Sequence, residues 1–230
     1  MHEMTVMFED ATKILFVAIL LTAAIVLTKR DILGIISAYS LQSFLISAVA
    51  AVMYAADGTG TLLFVSALTL CIKALLVPAI MKGIQKQIKI KRDVEFAYLS
   101  PVSALGASMI LLLAGYGLLS GLIGNDRALA FGTVAGISLM FMGMLVVFTR
   151  KQAITGIVGY LTMENGVVLM SLFLTELPLL IEVLILVDLI GIMLLAAILS
   201  FGINSSIEEF HQKLVRPFGG KTVAPEEGSA

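Results

Sequence analysis

Residues 14–28 read ILFVAILLTAAIVLT, an apolar run without a charged residue, and the basic pair Lys29-Arg30 follows it directly. A helix that crosses the roughly 30 Å hydrocarbon layer of a bilayer needs about 20 such residues. The whole chain has this character, since 59% of its 230 residues are hydrophobic and 13% are charged. An ordinary water-soluble domain has about 25% charged residues. The composition therefore excludes a cytosolic globular enzyme, a nucleic-acid-binding protein and a disordered tail.

Seven apolar stretches of the chain are long enough to cross a bilayer. They predict an all-α, polytopic membrane protein whose seven transmembrane helices lie at about residues 11–28, 32–56, 60–81, 98–122, 128–149, 152–174 and 178–203. The first stretch is not typical of a removable signal peptide, because acidic rather than basic residues precede it.

The basic residues set the predicted orientation. With seven spans, 12 of the 15 Lys and Arg residues fall on one side of the membrane. Cytoplasmic connections are enriched in Lys and Arg, so we expect the N-terminus outside and the C-terminus in the cytoplasm of a cell inner (cytoplasmic) membrane protein. The connection at 82–96, KGIQKQIKIKRDVEF, is predicted to be a solvated basic loop or, alternatively, a docking surface for a partner subunit.

The two halves of the chain are similar in sequence when one is shifted by 122 residues. Residues 32–36 (ILGII) then match 154–158 (ITGIV), and residues 40–43 (SLQS) fall on 162–165 (TMEN). This pattern indicates a parallel repeat of two three-helix units, with chance similarity between membrane sequences as the alternative. The predicted organisation is a first unit at 1–81, a cytoplasmic basic loop with a linking fourth helix at 82–127, a second unit at 128–203 and a polar cytoplasmic tail at 204–230.

Four ionisable residues lie within the predicted spans: Lys73, Glu164, Glu182 and Asp188. A helical rise of about 1.5 Å per residue puts all but Glu182 in the middle third of the membrane, and Gln42 at a matching depth. Ionisable groups are costly there and are functional candidates by default. Structural alternatives remain for each: Lys73 as a counter-ion, Glu164 as a protonated packing acid, and the other two acids as partners in interhelical hydrogen bonds.

A Glu–Lys–Asp set at this depth suits ion transfer. Removal from water favours the protonated form of a carboxyl group, and a nearby ammonium favours the ionised form. Moving Lys73 by a few ångströms would therefore switch an acid between holding and releasing a proton. Pro78 removes the usual helical partner of the Ala74 carbonyl, which either opens the helix beside Lys73 to water or produces an ordinary kink.

Other chemistry has little support in the sequence. One cysteine, Cys71, and two histidines near opposite ends give no disulfide and no cysteine-ligated or histidine-ligated centre. We therefore expect no catalytic residue, cofactor or metal site in this chain. The spacings Gly117-x-x-x-Gly121 and Gly132-x-x-x-Gly136 predict close contacts between helices.

Three segments carry a resemblance to a known family: residues 66–78 (SALTLCIKALLVP), 159–166 (GYLTMENG) and 177–183 (LPLLIEV), the last followed by Asp188. They resemble the hydrogenase-4 component E family, membrane subunits of group 4 [NiFe] hydrogenase and formate hydrogenlyase complexes. The last three spans are also similar to the three-helix K subunit of respiratory complex I. In that subunit a basic loop precedes a mid-membrane glutamate, here Glu164, and the next helix carries a second acid, here Glu182 or Asp188.

The resemblance implies a subunit of an oxidoreductase complex that holds no redox centre itself. Its partners would be antiporter-like membrane subunits, with the [NiFe] centre and iron–sulfur clusters in other subunits. By this resemblance, Glu164, Lys73, Asp188 and Glu182 would form part of a mid-membrane polar axis. Our leading hypothesis for proton or sodium translocation makes Glu164 the principal carrier and Lys73 its modulator. Asp188 and Glu182 then pass the proton on or pair with Lys73, and Gln42 orients water. One alternative is a structural scaffold subunit. The other is a free-standing small-solute transporter, and the short loops argue against that one.

Overall fold

The computed structural model describes residues 2–88, 100–120 and 127–174, together with residues 188, 190, 191 and 193. All regular secondary structure in these residues is helical. The helices are α1 (His2–Thr28), α2 (Ile32–Asp57), α3 (Gly60–Leu68), α4 (Val77–Ile88), α5 (Pro101–Ser120), α6 (Arg127–Thr149) and α7 (Ala153–Leu174). A π-helical segment, Thr69–Leu76, joins α3 to α4 without a break.

The length and composition of these helices are those of a multi-pass membrane protein. Five helical runs are long and apolar enough to cross a membrane: Asp10–Thr28, Ile32–Ala56, Gly60–Gln85, Leu129–Thr149 and Ile154–Phe173. Helix α5 is apolar over a shorter run, Val102–Gly117. The all-α prediction is confirmed for the described residues. Of the seventh predicted span, 178–203, the structure describes only residues 188, 190, 191 and 193, all of them helical.

Two helices extend further than the sequence pattern predicts. Helix α1 begins at His2 instead of residue 11, and α4 continues to Ile88 instead of ending at residue 81. The prediction of a loop from residue 82 is therefore wrong for the first seven residues of that segment, 82–88. The physical reason is that Met81, Ile84 and Gln85 remain buried on one face, so the helix keeps an apolar stripe to pack after the membrane-spanning run has ended.

The short connections around α2 depend on its two caps. The Asp31 carboxylate accepts a hydrogen bond from the backbone N–H of Gly34 at 2.7 Å, which satisfies a free donor at the N-terminus. At the other end Gly58 adopts a left-handed conformation with φ of 69°, and its N–H donates to the carbonyl of Tyr54 at 2.8 Å. A glycine accepts this conformation without steric cost, so the chain can turn at once into α3.

One apolar cluster occupies the end of the bundle where the described basic pairs lie, and we call it the basic-end layer. It joins the last turns of α1 and α6, the first turns of α2 and α7, and much of α4, through residues such as Leu27, Ile36, Met81, Val146 and Leu161. Ala104 adds the start of α5. Ends and starts of successive helices thus meet in one layer, so the described helices alternate in direction.

A second apolar cluster, the far-end layer, fills the other half of the bundle. It contains residues such as Ile19, Ile46, Val65, Leu139 and Leu169, from α1, α2, α3, α6 and α7. Buried polar residues of α2, the π-helical segment and α7 lie in sequence between the residues of the two layers. The polar residues are therefore separated from both ends of the bundle by packed apolar side chains.

Arg150 has a role that its position in a basic pair does not reveal. Only 2% of the residue is exposed, and its Nη2 donates to the carbonyls of Val26, Leu27 and Lys29 at 3.2, 2.7 and 2.8 Å. Burial and the neighbouring Arg30 lower the pKa of Arg150 to about 10, so the group stays charged at neutral pH. The guanidinium satisfies carbonyls that the C-terminus of α1 leaves without a helical partner, and it fixes α1 against the turn between α6 and α7.

Helices α6 and α7 approach closely along a seam of glycines. A Cβ atom added to Gly136 would lie 2.9 Å from the carbonyl oxygen of Gly166, and one added to Gly159 would lie 2.9 Å from that of Gly143. The predicted close contact at Gly136 is confirmed. Among the described residues, a Cβ at Gly117 would meet nothing within 4 Å. Gly121 lies outside the described residues, so the close contact at this pair stays a prediction.

The seam gives a direct test of the packing. Gly136→Ala should lower the free energy of unfolding by about 1–3 kcal/mol, because the added methyl group pushes the two backbones apart. Gly106→Ala on α5, where the methyl group meets no described residue within 4 Å, is the matched control. It should be neutral or stabilising by about 0.5–1 kcal/mol, since alanine favours the helix. Reversible unfolding in mixed micelles measures both, and equal effects would contradict the close approach.

Candidate functional site

The centre of the site is a lysine held between two carboxyl groups. The Lys73 ammonium lies 2.7 Å from Glu164 Oε1 and 3.5 Å from Asp188 Oδ1. Lys73 and Glu164 are each 1% exposed and Asp188 is 9% exposed. The three residues come from the π-helical segment, α7 and the described residues of the seventh predicted span. We call this group the ion cluster.

The π-helical segment places Lys73 within reach of the acids. Lys73 lies in the middle of Thr69–Leu76, and Thr69 and Ala74 are buried with it. A π-helical turn holds more residues than an α-helical turn, so it rotates the side chains that follow relative to a regular helix. Such turns occur often at functional sites. The widened backbone therefore determines which way the lysine of this helix faces.

The carbonyl of Ala74, which Pro78 deprives of a helical partner, is satisfied by a neighbouring helix. The Ser40 hydroxyl of α2 donates to it at 2.6 Å. Between the two interpretations of Pro78, the structure thus has a widened helix with its free carbonyl bound by a protein side chain. The same hydrogen bond fixes α2 against the segment that carries Lys73.

A second polar group lies beside the ion cluster and joins α2 to α7. The amide Nδ2 of Asn165 donates to Ser43 Oγ at 2.9 Å and to Gln42 Oε1 at 3.2 Å. All three residues are fully buried. Because Asn165 follows Glu164 in sequence, these hydrogen bonds hold the backbone of the acid in place.

The seventh predicted span reaches the cluster through two described residues. Asp188 supplies the second carboxylate, and Gly191 follows one turn later on the same face. A Cβ added to Gly191 would lie 3.2 Å from a methyl group of Leu161 and 3.7 Å from Glu164 Oε2. The backbone at Gly191 therefore lies beside Oε2, the second oxygen of the Glu164 carboxylate.

Charge balance defines what the ion cluster can do. One ammonium balances only one ionised carboxylate, and a second buried negative charge would be expensive. Both carboxyl groups lie against the same ammonium, so a proton on either one makes the cluster neutral. The phenol groups of Tyr39 and Tyr160 are near both acids. The cluster is therefore suited to hold one exchangeable proton.

The described residues include three of the predicted site residues in direct contact: Lys73, Glu164 and Asp188. Gln42 is joined to them through Asn165, which follows Glu164 in sequence and donates a hydrogen bond to the Gln42 side chain. Glu182 lies outside the described residues.

Sequence reasoning missed the positioning roles of Ser40, Asn165 and Gly191. The repeat pattern aligned 40–43 with 162–165, and that alignment was the signal available for Ser40 and Asn165.

No group of three or more His, Cys, Asp or Glu residues in the described part of the chain has the arrangement of a metal site. The chain matches no family model, no curated protein and no solved structure.

A double-mutant cycle tests the ion cluster. Lys73→Met should lower the free energy of unfolding by about 3–5 kcal/mol, because it leaves two buried acids without a cation. Adding Glu164→Gln should recover part of that loss, since it removes one uncompensated acid. Lys13→Met, at a partly exposed lysine that pairs with Asp10, is the control and should change stability by less than about 1 kcal/mol. Additive effects of Lys73→Met and Glu164→Gln would show that the two residues are not in contact.

Proposed function

We propose that this chain is an ion-translocating subunit of a membrane-bound [NiFe] hydrogenase or formate hydrogenlyase-type complex. The observation that carries the proposal is the ion cluster, a lysine between two acids with about 1–9% exposure inside an apolar bundle. A scaffold needs no titratable group at this depth, whereas a proton path through a membrane needs one.

The position of the ion cluster supports the proposal. The basic-end layer and the far-end layer lie on either side of it, so each acid is far from either end of the bundle. In this arrangement Glu164 is the principal proton carrier. Lys73 favours release of the proton by stabilising the ionised carboxylate, and Asp188 accepts or returns it over a short distance. Glu182 is a further relay on the same span.

Seven spans, an outside N-terminus and a cytoplasmic C-terminus complete the proposed topology. The alternating direction of the described helices is consistent with this arrangement. Lys29 and Arg30 lie between α1 and α2, Arg150 and Lys151 lie between α6 and α7, and Lys82 lies within α4, all next to the basic-end layer. Under the positive-inside rule this end faces the cytoplasm, and the membrane is the cell inner membrane.

The internal repeat is part of the proposal. Two units related by an axis along the membrane normal would bring matched residues together at that axis. Ser43 and Asn165, separated by the repeat length of 122 residues, are hydrogen bonded to each other. Helix α1 packs on α6 and α2 packs on α7, which are the helix pairs that the shift matches. Glu164 then has Gln42 as its counterpart, so only one unit carries the acid.

The partners follow from the resemblance of residues 66–78, 159–166 and 177–183 to the hydrogenase-4 component E family. We propose antiporter-like membrane subunits as neighbours and a peripheral arm that carries the [NiFe] centre and iron–sulfur clusters. The chain contributes no redox centre in this scheme. Its part is to move protons, or sodium ions, in step with electron transfer elsewhere.

Glu164→Gln in the assembled complex tests this function. The substitution keeps size and hydrogen bonding but removes the exchangeable proton, so ions moved per hydrogen formed should fall by about tenfold or more. The complex is reconstituted in lipid vesicles, and ion uptake and hydrogen formation are measured together. Asp10→Asn, at an exposed acid on α1, is the matched control and should leave the ratio unchanged.

Three other outcomes would contradict the proposal. Wild-type coupling in Glu164→Gln would exclude Glu164 as the carrier. Lower yield of the complex with unchanged coupling per intact complex would support the scaffold alternative. Stable isolation and solute uptake without partner subunits, with no gene for a [NiFe] large subunit nearby, would support the free-standing transporter.

A further inference from the structure

We propose that Lys73 makes the ion cluster selective for protons over sodium ions, because its ammonium is a tethered cation in the place that a sodium ion would need. The inference rests on the proposed function and names the ion that this site moves. It assigns to Lys73 a role as a specificity-determining residue.

The geometry places the ammonium where a metal cation would bind. Two carboxylates at 2.7 and 3.5 Å from one point form the most negative position among the described buried residues, and Lys73 Nζ occupies that point. An ammonium has three donors and no lone pair, so it cannot act as a ligand. A sodium ion would have to share the two carboxylates with a like charge a few ångströms away, where the low dielectric makes repulsion strong.

The described contacts of the two carboxylates supply few replacement ligands for a sodium ion. A hard cation without its water shell requires several oxygen ligands around it. The backbone at Gly191 lies beside Glu164 Oε2, and the apolar side chain of Leu161 packs next to it. The basic-end layer and the far-end layer close the cluster along the membrane normal. Among the described residues, the titratable and charged groups close to both acids are Lys73, Tyr39 of α2 and Tyr160 of α7, and of these only the two phenol groups carry an oxygen that a cation can use.

A proton has neither requirement. It binds a single carboxylate oxygen, needs no coordination shell and can reside on either Glu164 or Asp188. Adding it to the cluster neutralises the one negative charge that Lys73 leaves unbalanced. Without the ammonium, the same two acids would carry two negative charges around an open position, which is a site that a sodium ion can fill.

The test is sodium competition with protonation of the buried acids in the purified full-length chain. Wild type, Lys73→Met and Lys73→Arg are placed in lipid nanodiscs, and the infrared carbonyl band of protonated carboxyl groups is followed against pH in sodium chloride or choline chloride. For wild type, the midpoint of the titration should be the same in sodium chloride and in choline chloride, and the same should hold for Lys73→Arg. In Lys73→Met the midpoint should fall in sodium by about one pH unit for each tenfold rise in concentration, as competition for one site requires. Lys13→Met is the matched control and should behave as wild type.

Two results would overturn the inference: a sodium-dependent midpoint in wild type, or sodium independence in both Lys73→Met and Lys73→Gln. Lys73→Gln also replaces Lys73→Met if the latter does not fold. This outcome is separable from that of the proposed function. Protonation that is independent of sodium in wild type but competes with sodium in Lys73→Met would support the role of Lys73 in selectivity. That conclusion would hold even if Glu164→Gln left pumping in the complex unchanged.

Discussion

The contact between the Lys73 ammonium and the Glu164 carboxylate is the constraint on which the rest of the bundle depends. Each charge alone would be prohibitively expensive between two apolar layers, and the pair persists only because each neutralises the other. Three helical elements must therefore hold their side chains in register to within hydrogen-bond distance. The π-helical segment rotates Lys73, the Ser40 hydroxyl fixes that segment to α2, and Asn165 fixes α2 to α7.

The packing of the helices around this contact is more regular than the contact itself. Matched positions of the two halves meet across α2 and α7, and the glycine seam lets α6 and α7 form one tight pair. Under the proposed repeat, one copy of the central position carries Glu164 and the other carries the neutral Gln42. In that proposal a duplicated scaffold supports a single titratable centre. Gln42 and Ser43 of the first unit accept the hydrogen bonds that Asn165 donates.

Sequence periodicity and charge placement predicted much of this. Apolar runs located the helices, and the cost of burying charge singled out Lys73, Glu164 and Asp188 before their contact was known. Other features had no signal of this kind. The sequence left open whether Pro78 opens the helix to water or produces an ordinary kink. The structure has a π-helical segment before Pro78, and Ser40 of another helix donates to the Ala74 carbonyl. In the sequence, Arg150 has the pattern of an ordinary basic loop residue. Its role in capping the C-terminus of α1 depends on the position of the α1 carbonyls in the folded chain. The extension of α4 to Ile88 depends on tertiary packing rather than on the membrane.

The central claim is the direct contact between Lys73 and Glu164 in the bilayer. Solid-state NMR of the chain in lipid measures it as the dipolar coupling between a labelled lysine Nζ and a labelled glutamate side-chain carboxyl carbon, with the signal assigned by its loss in Lys73→Arg. A strong coupling, as expected for a nitrogen 2.7 Å from the carboxylate oxygen, is the predicted result. A Lys73 signal without coupling to any glutamate carboxyl carbon would contradict the account.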